Sequence, residues 1–310
     1  MIEITNLTKK FGDFTAVNNI SMDIKKGELF GLLGPNGAGK STTVSMLSTI
    51  LSPTSGEIKI NNKPLKGNEM EIKSILGIVP QDLALYETLS AKDNLRFFGS
   101  LYGLSGKKLS NRVDEVLDII ELKDKANQVV EKYSGGMKRR VNIGVALMHN
   151  PQIMIFDEPT VGIDPQSRNH IMETIKTLNK EKGVTVIYTS HYMEEVEFLC
   201  SRIGIIDYGR VIALGSIQEL KNGSNACDSL SITYSQASKD AIEKVSKIKG
   251  VQKVTEQDNT IKLLILPKQR NIIEIIEDLK GLGIKITSFQ YEEVNLETIF
   301  LQLTGKSLRE

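Results

Sequence analysis

Three short stretches of this sequence gather residue types suited to phosphoryl chemistry. Gly34-Pro35-Asn36-Gly37-Ala38-Gly39-Lys40-Ser41, followed by Thr42, fits the spacing G-x-x-x-x-G-K-[ST]. Glycines so spaced let main-chain N–H groups close around phosphate oxygens, and a helix beginning there adds the positive end of its dipole. Lys40 is then placed to reach the β- and γ-phosphates of a nucleotide, and Ser41 to ligate Mg²⁺. A glycine-rich turn before a helix is the bland alternative. An apolar run, Ile153 to Phe156, ends in two carboxylates, Asp157 and Glu158. Many strands end at an acidic residue. Beside a phosphate loop, however, one carboxylate must help to hold Mg²⁺ and another must polarise the attacking water. Asp157 is assigned to the first role and Glu158 to the second, as general base. The third stretch, Tyr133-Ser134-Gly135-Gly136-Met137, opens a helical pattern that runs through Met148. Lys138, Arg139 and Arg140 occupy its first turn, where the dipole favours Asp and Glu. A local rule broken in this way points to a nearby anion or a functional surface; the alternative is a capped surface helix.

These groups need elements to hold them. Leu29 to Leu33 reads as a short buried strand running into the glycine loop, with a helix from about Lys40. Another strand, Ile75 to Val79, ends at Pro80-Gln81, and Ala91 to Asn150 is helical in pattern with breaks near Gly103 to Gly106 and at Ser134 to Gly136. After Pro151 a strand-then-helix rhythm returns: IMIF, a helix near Gln166 to Glu181, VTVIYTS, and a helix from about Met193. Such alternation predicts an α/β domain with a largely parallel sheet, preceded by edge strands around Ile2 to Leu7 and Ile20 to Ile24. Near Lys221 the sequence KNGSNA reads as a linker, dividing the chain into domains at 1–222 and 226–305. The second reads β-α-β-β-α-β, a ferredoxin-like α+β order. A final helix places Leu296, Ile299, Phe300 and Leu303 on one face, with Asn295 as its N-cap.

Composition removes several functions. Thirty-nine basic against thirty-eight acidic residues leave a formal charge of +1, without the basic excess of a general nucleic-acid binder. The two cysteines, Cys200 and Cys227, form no CxxC pair, and His149, His170 and His191 are not at metal-ligand spacing. The N-terminus lacks the apolar stretch of a signal peptide, and no run approaches the roughly 20 apolar residues of a spanning helix. The chain is therefore expected in the cytosol.

GPNGAGKS, Gln81, YSGGM, IMIFDEPT, VGID and His191, in this order, closely resemble the nucleotide-binding subunits of ABC transporters over residues 1 to 222. The resemblance implies a P-loop ATPase core with helical and antiparallel β subdomains, with ATP as substrate and Mg²⁺ as cofactor. It implies that Phe11 stacks on adenine and that Gln81 senses Mg²⁺ and the γ-phosphate, signalling toward a membrane partner through a contact near Leu83 to Thr88. Ser134 and Gly136, with Gly135 between them, would meet the γ-phosphate of ATP held by an opposite subunit, and Asp164 would lie in a dimer-contact loop. His191, which alone reads as a packing residue, becomes the switch histidine on the γ-phosphate; Lys40, Gln81, Glu158 and His191 are thus the catalytic set. The common signature LSGGQ is altered at Tyr133 and Met137, its Ser-Gly-Gly core intact. That variant and the ending NLETIFLQLTGKSLRE resemble the exporter branch containing daunorubicin-type drug-resistance ATPases. The implied partners are separate type-2 permeases and a second ATPase subunit, at the inner face of the membrane, with a drug, antibiotic or lipid-like cargo. An importer ATPase, or a non-transport relative acting on ribosomes or DNA, is the alternative.

Overall fold

Polar–apolar alternation folds the N-terminus into a hairpin, β1 (Ile2–Phe11) and β2 (Phe14–Ile24), in the computed structural model, which describes residues 1–223, 227–266 and 271–304. Both strands run past the alternating stretches that predict them. Bulges interrupt their pairing between Ile4 and Leu7 and again before Lys10, and Asn6 (φ 49°) and Asn19 (φ 53°) adopt the left-handed conformation. Next come β3 (Leu29–Leu33), α1 (Lys40–Leu47), β4 (Ser55–Ile60), β5 (Lys63–Pro64), α2 (Glu69–Ile75) and β6 (Leu76–Val79). The hairpin, β4 and β5 form an antiparallel sheet in the order β2-β1-β4-β5. The strand expected from Ile75 begins one residue later, because Ile75 closes α2.

A helical layer follows, α3 (Ala91–Leu101), α4 (Gly106–Ile119) and α5 (Gly135–Leu147), then β7 (Ile153–Asp157), α6 (Pro165–Lys182), β8 (Thr185–Ser190), α7 (Met193–Leu199), β9 (Arg202–Asp207) and β10 (Arg210–Ser216). Six strands form the central sheet in the order β10-β9-β3-β8-β7-β6. All its pairings are parallel except β10 with β9. Every residue of β3 and β8 is buried, as a parallel sheet covered on both faces requires. Phe30, Phe156 and Tyr188 are the largest wholly buried side chains of this sheet, each contributing about 1.5–3 kcal/mol on burial. Two helices of this unit, α5 and α6, start from side-chain caps. Ser134 Oγ accepts from Met137 N at 3.3 Å at the head of α5, and Asp164 Oδ1 accepts from Ser167 N at 2.9 Å at the head of α6, with Pro165 in its first turn.

These elements make one compact unit, Met1–Ser216, and a second begins at Ile217. The second contains α8 (Ile217–Gly223), β11 (Asp228–Gln236), α9 (Lys239–Val245), β12 (Val251–Gln257), β13 (Thr260–Ile265), α10 (Ile272–Gly281), β14 (Lys285–Glu292) and α11 (Leu296–Thr304). Its sheet is antiparallel in the order β12-β13-β11-β14. Ala241, Val245, Ile275 and Leu279 of the helices are buried with Leu230, Ile232, Ile261 and Leu263 of the strands. Residue 222, the expected limit of the first domain, falls inside α8, which packs on α11. The expected limits of the second domain at 226 and 305 lie outside the described residues, as does the side chain of Leu303. Leu296, Ile299 and Phe300 are buried, and Asn295 Oδ1 accepts from Thr298 N at 2.9 Å. No described helix is long and apolar enough to cross a membrane.

Candidate functional site

The carboxyl ends of β3, β8, β7 and β6, adjacent in the central sheet, deliver the residues with chemistry to one edge, the usual place for ligands on such sheets. β3 feeds the glycine loop. Gly39, with φ 105°, caps α1, and a Cβ there would lie 2.6 Å from the carbonyl oxygen of Ala16. Any other residue would be both strained and blocked, so the loop can turn into α1 in this conformation only with glycine at this position. Ala38 is turned inward, its carbonyl accepting from Gly209 N at 2.9 Å. Lys40 is 4% exposed. Its Nζ donates to the carbonyls of Gly34 at 2.8 Å and Pro35 at 3.2 Å, and lies 3.1 Å from Glu158 Oε1.

β7 and β8 arrange the carboxylates together. Thr189 Oγ1 donates to Asp157 Oδ1 at 2.7 Å and accepts from Glu158 N at 2.9 Å. Glu158 sits just past the strand with φ 46°, an uncommon conformation for a residue with a side chain. The Thr189 hydroxyl and carbonyl, which both accept from Glu158 N, help to hold it there. Beyond β8, His191 Nδ1 lies 3.3 Å from Glu158 Oε2, without the alignment of a hydrogen bond. Ser41 Oγ donates to Asp157 Oδ1 at 3.4 Å. These are two hard oxygen donors at a spacing suited to adjacent ligands of Mg²⁺. Among the described residues no three His, Cys, Asp or Glu side chains form a metal cage. The donor set therefore fits an ion that takes few protein ligands and completes its shell with phosphate oxygens and water.

A cavity of about 480 Å³ contains this chemistry, walled by Phe14, Ala16, Asn36, Gly37, Gly39, Lys40, Ser41, Thr42, Gln81, Glu158, Val161 and His191. Phe11, expected against adenine, is not in that wall; Phe14 is. The two are opposed across the tip of the β1–β2 hairpin and so share one face of it. Phe11 instead carries the Lys9 ammonium 5.1 Å from its ring centre, while Phe14 is 65% exposed.

Ser134 lies elsewhere, in a second concavity of about 730 Å³ lined also by Met137, Arg140, Ser167 and His170. Gly136 is there by necessity: a Cβ would stand 2.1 Å from Ser167 Oγ and 3.7 Å from Asp164 Oδ2. Glycine thus lets the head of α5 close on the head of α6, and Gly135 stands beside Ile163. Of the expected site residues, Ser134 therefore lies in a wall that shares no residue with the one holding Lys40, Ser41, Gln81, Glu158 and His191.

The three cations in the first turn of α5 each have an internal partner, and for Lys138 that partner is an anion, Glu87. Lys138 pairs with Glu87 at 2.8 Å. Arg139, buried, donates from Nη1 to the carbonyl of Pro80 at 2.6 Å and from Nη2 to that of Gln81. Arg140 donates to the Ile120 carbonyl at 3.2 Å and lies 3.0 Å from His170 Nε2. Along the same face Asn142 Oδ1 accepts from Ala84 N at 3.3 Å. The segment beyond continues to Tyr86, whose N–H and carbonyl both bond the buried Asn94 amide at 2.9 Å. The Tyr86 ring is half exposed and 5.0 Å from that of Phe97. Sequence reasoning missed Thr189, Phe14 and the use of Arg139. For Arg139 the broken dipole rule was a signal, but one that could not name the carbonyls it holds; for Thr189, one more polar residue in a strand, there was none.

Comparison with known proteins matches this arrangement. The family described as ABC transporter fits residues 17–161. The chain is 46% identical over 312 residues to the linearmycin resistance ATP-binding protein LnrL of Bacillus subtilis (strain 168), covering 100% of both. It is 31% identical over 309 residues to the daunorubicin resistance ATP-binding protein DrrA3 of Streptomyces coeruleorubidus, covering 99% of this chain and 97% of that one. Among solved structures, the dimeric ATP-binding cassette MJ0796 in a post-hydrolysis state bound to ADP and Pi superposes with a TM-score of 0.63 at 32% identity, over 70% of this chain and 98% of its own. With the phosphate loop, the paired carboxylates and the histidine at one sheet edge, these likenesses make the chain a member of the ABC transporter family, an ATP-binding and ATP-hydrolysing subunit.

Proposed function

We propose that this subunit hydrolyses Mg²⁺-bound ATP to drive a separate membrane permease that exports a drug, antibiotic or lipid-like molecule. The observation that carries the reading is the convergence of Lys40, Ser41, Asp157, Glu158 and His191 at the carboxyl edge of adjacent parallel strands. Lys40 and the N–H groups of the glycine loop bind the phosphates. Ser41, Asp157 and Gln81 hold the ion, which when bound neutralises charge on the phosphate oxygens. Glu158 takes the proton of the attacking water. His191 donates to the γ-phosphate. Ser134, in its separate concavity, with Gly136 and Asp164 beside it at the heads of α5 and α6, serves the nucleotide of a second copy, a reading that the dimeric form of the MJ0796 cassette supports. Export is supported by the resistance functions in the names of LnrL and DrrA3. The permease docks at the exposed ring of Tyr86 and its neighbours from Leu83 to Thr88, bringing the chain to the inner face of the membrane. Phosphate release by the purified chain should require Mg²⁺ and stop with EDTA, and co-expression with the permease should move the chain into the membrane fraction. ATP hydrolysis indifferent to EDTA, or a chain that stays out of the membrane fraction, would count against the reading.

Adenine is stacked by a platform in which Phe14 joins Phe11. Loss of a stacking ring costs about 1–3 kcal/mol per base, so Phe14→Ala should weaken ATP binding roughly fivefold or more. Affinity for inorganic triphosphate, which has no base to stack, should be unchanged. Titration of both ligands into wild type, Phe14→Ala and Phe11→Ala separates the two rings; a Phe14→Ala protein with wild-type ATP affinity removes Phe14 from the platform.

A further inference from the structure

The mechanism above has no use for the carboxylate of Glu195. It is 2% exposed on α7 and gathers groups from three other parts of the unit. Its Oε2 accepts from Thr160 Oγ1 at 2.9 Å, Tyr188 OH at 2.8 Å and Ser190 Oγ at 2.9 Å. Its Oε1 lies 3.5 Å from Arg168 Nε. Burying a carboxylate carries a desolvation cost that an apolar side chain of similar volume avoids, so a buried ion pair is weak evidence of a purely stabilising role.

The identity of its partners suggests another role. Thr160 stands two residues after Glu158, and Ser190 stands immediately before His191. Ser190 Oγ also accepts from Tyr192 N at 2.9 Å, so one hydroxyl brackets the histidine on both sides. The Arg168 guanidinium lies 4.9 Å from the Tyr192 ring centre, and that ring is 4.1 Å from the imidazole of His191. Glu158 and His191 approach to 3.3 Å but do not hydrogen-bond to each other. Their spacing is therefore imposed by the segments that carry them. We propose that Glu195 is a positioning residue, whose single oxygen Oε2 ties the Glu158 segment to the His191 segment through Thr160 and Ser190. Tyr188, the third donor on that oxygen, anchors the carboxylate to the central sheet.

This inference rests on the catalytic reading of Glu158 and His191, and it is tested in the full-length chain by separating turnover from binding. Misplacing a reacting group by about 1 Å can cost on the order of 10²-fold in rate. Glu195→Ala should therefore lower kcat by roughly 10- to 100-fold while the Kd for ATP stays within about twofold. Thr160→Val and Ser190→Ala, which each remove one hydroxyl, should lower kcat by a few-fold at unchanged ATP affinity. Glu195→Gln can keep a carbonyl oxygen facing the three hydroxyls and should recover most of the turnover. The two hydroxyl variants decide the matter if Glu195→Ala does not fold. Wild-type kcat in both, or a fall in kcat matched by an equal loss of ATP affinity, would overturn the proposal. Turnover of Glu158→Gln, measured alongside, reports on the underlying catalytic reading by itself: wild-type hydrolysis there would sink that reading whatever the Glu195 series does.

Discussion

Glu158→Gln should bind ATP and hydrolyse it at least on the order of 10²-fold more slowly than wild type. The substitution keeps the size of the side chain and, through its amide oxygen, an acceptor for the Lys40 ammonium 3.1 Å away. It removes the basicity needed to take a proton from water, and with it the negative charge paired with Lys40. Asp157 and Ser41, joined at 3.4 Å, are untouched, so Mg²⁺ binding should persist. ATP that is held but not cleaved should also trap two copies together. Gel filtration with and without ATP should show a nucleotide-dependent dimer for the variant, and single-turnover assays should show the chemical step itself slowed. Near-normal turnover would remove Glu158 from the role of base.

Lys40→Ala should lose affinity rather than turnover alone. The ammonium is buried and supported by two loop carbonyls, so its charge is aimed into the cavity at little entropic cost. Truncating one partner of a buried, hydrogen-bonded charge pair costs about 2–5 kcal/mol, which is roughly 30-fold or more in Kd for ATP. The same change strands the Glu158 carboxylate without its counter-ion in a site that is itself buried, and so should lower the melting temperature. Neutralising the stranded group should restore part of that loss. The double variant Lys40→Ala/Glu158→Gln is therefore expected to melt above Lys40→Ala, a non-additivity read directly by thermal unfolding. Strictly additive shifts would show that the pair contributes nothing to the fold.

Those residues were legible because their spacing is dictated locally. A glycine loop between a buried strand and a helix, and a pair of carboxylates ending an apolar run, can be seen within ten residues. The central sheet was legible for the same reason: β3 is an apolar run, β7 is one up to Asp157, and β8 carries Val186, Ile187 and Tyr188 together. What escaped depends on departures from regularity or on distant partners. β1 and β2 were read short because bulges at Asn6 and Asn19 break the two-residue period. β4 has only Ile58 and Ile60 buried, and α2 only Ile72, too few to establish a period. Thr189 reaches Glu158 31 positions away and Glu195 reaches Thr160 35 positions away, and neither position has a distinctive local pattern. Phe11 was named from family likeness alone, whereas which ring lines the cavity depends on how the hairpin tip closes.

The grip of Arg139 on the Pro80 and Gln81 carbonyls, with Asn142 holding Ala84 one turn further on, has a mechanical consequence. It gears two parts of the molecule that the chain itself joins only through the whole helical layer. The segment from Pro80 to Ala84 lies along α5 like a rail bolted at two points, and the head of α5 is Ser134 to Gly136. Through these bonds a tilt of that helix would pull on Gln81, and a load applied at Tyr86 would reach α5. Such a linkage works in both directions. Whatever grips the Ser134 end stiffens the lever against the outer push, and whatever pushes at Tyr86 changes how firmly the Ser134 end can close.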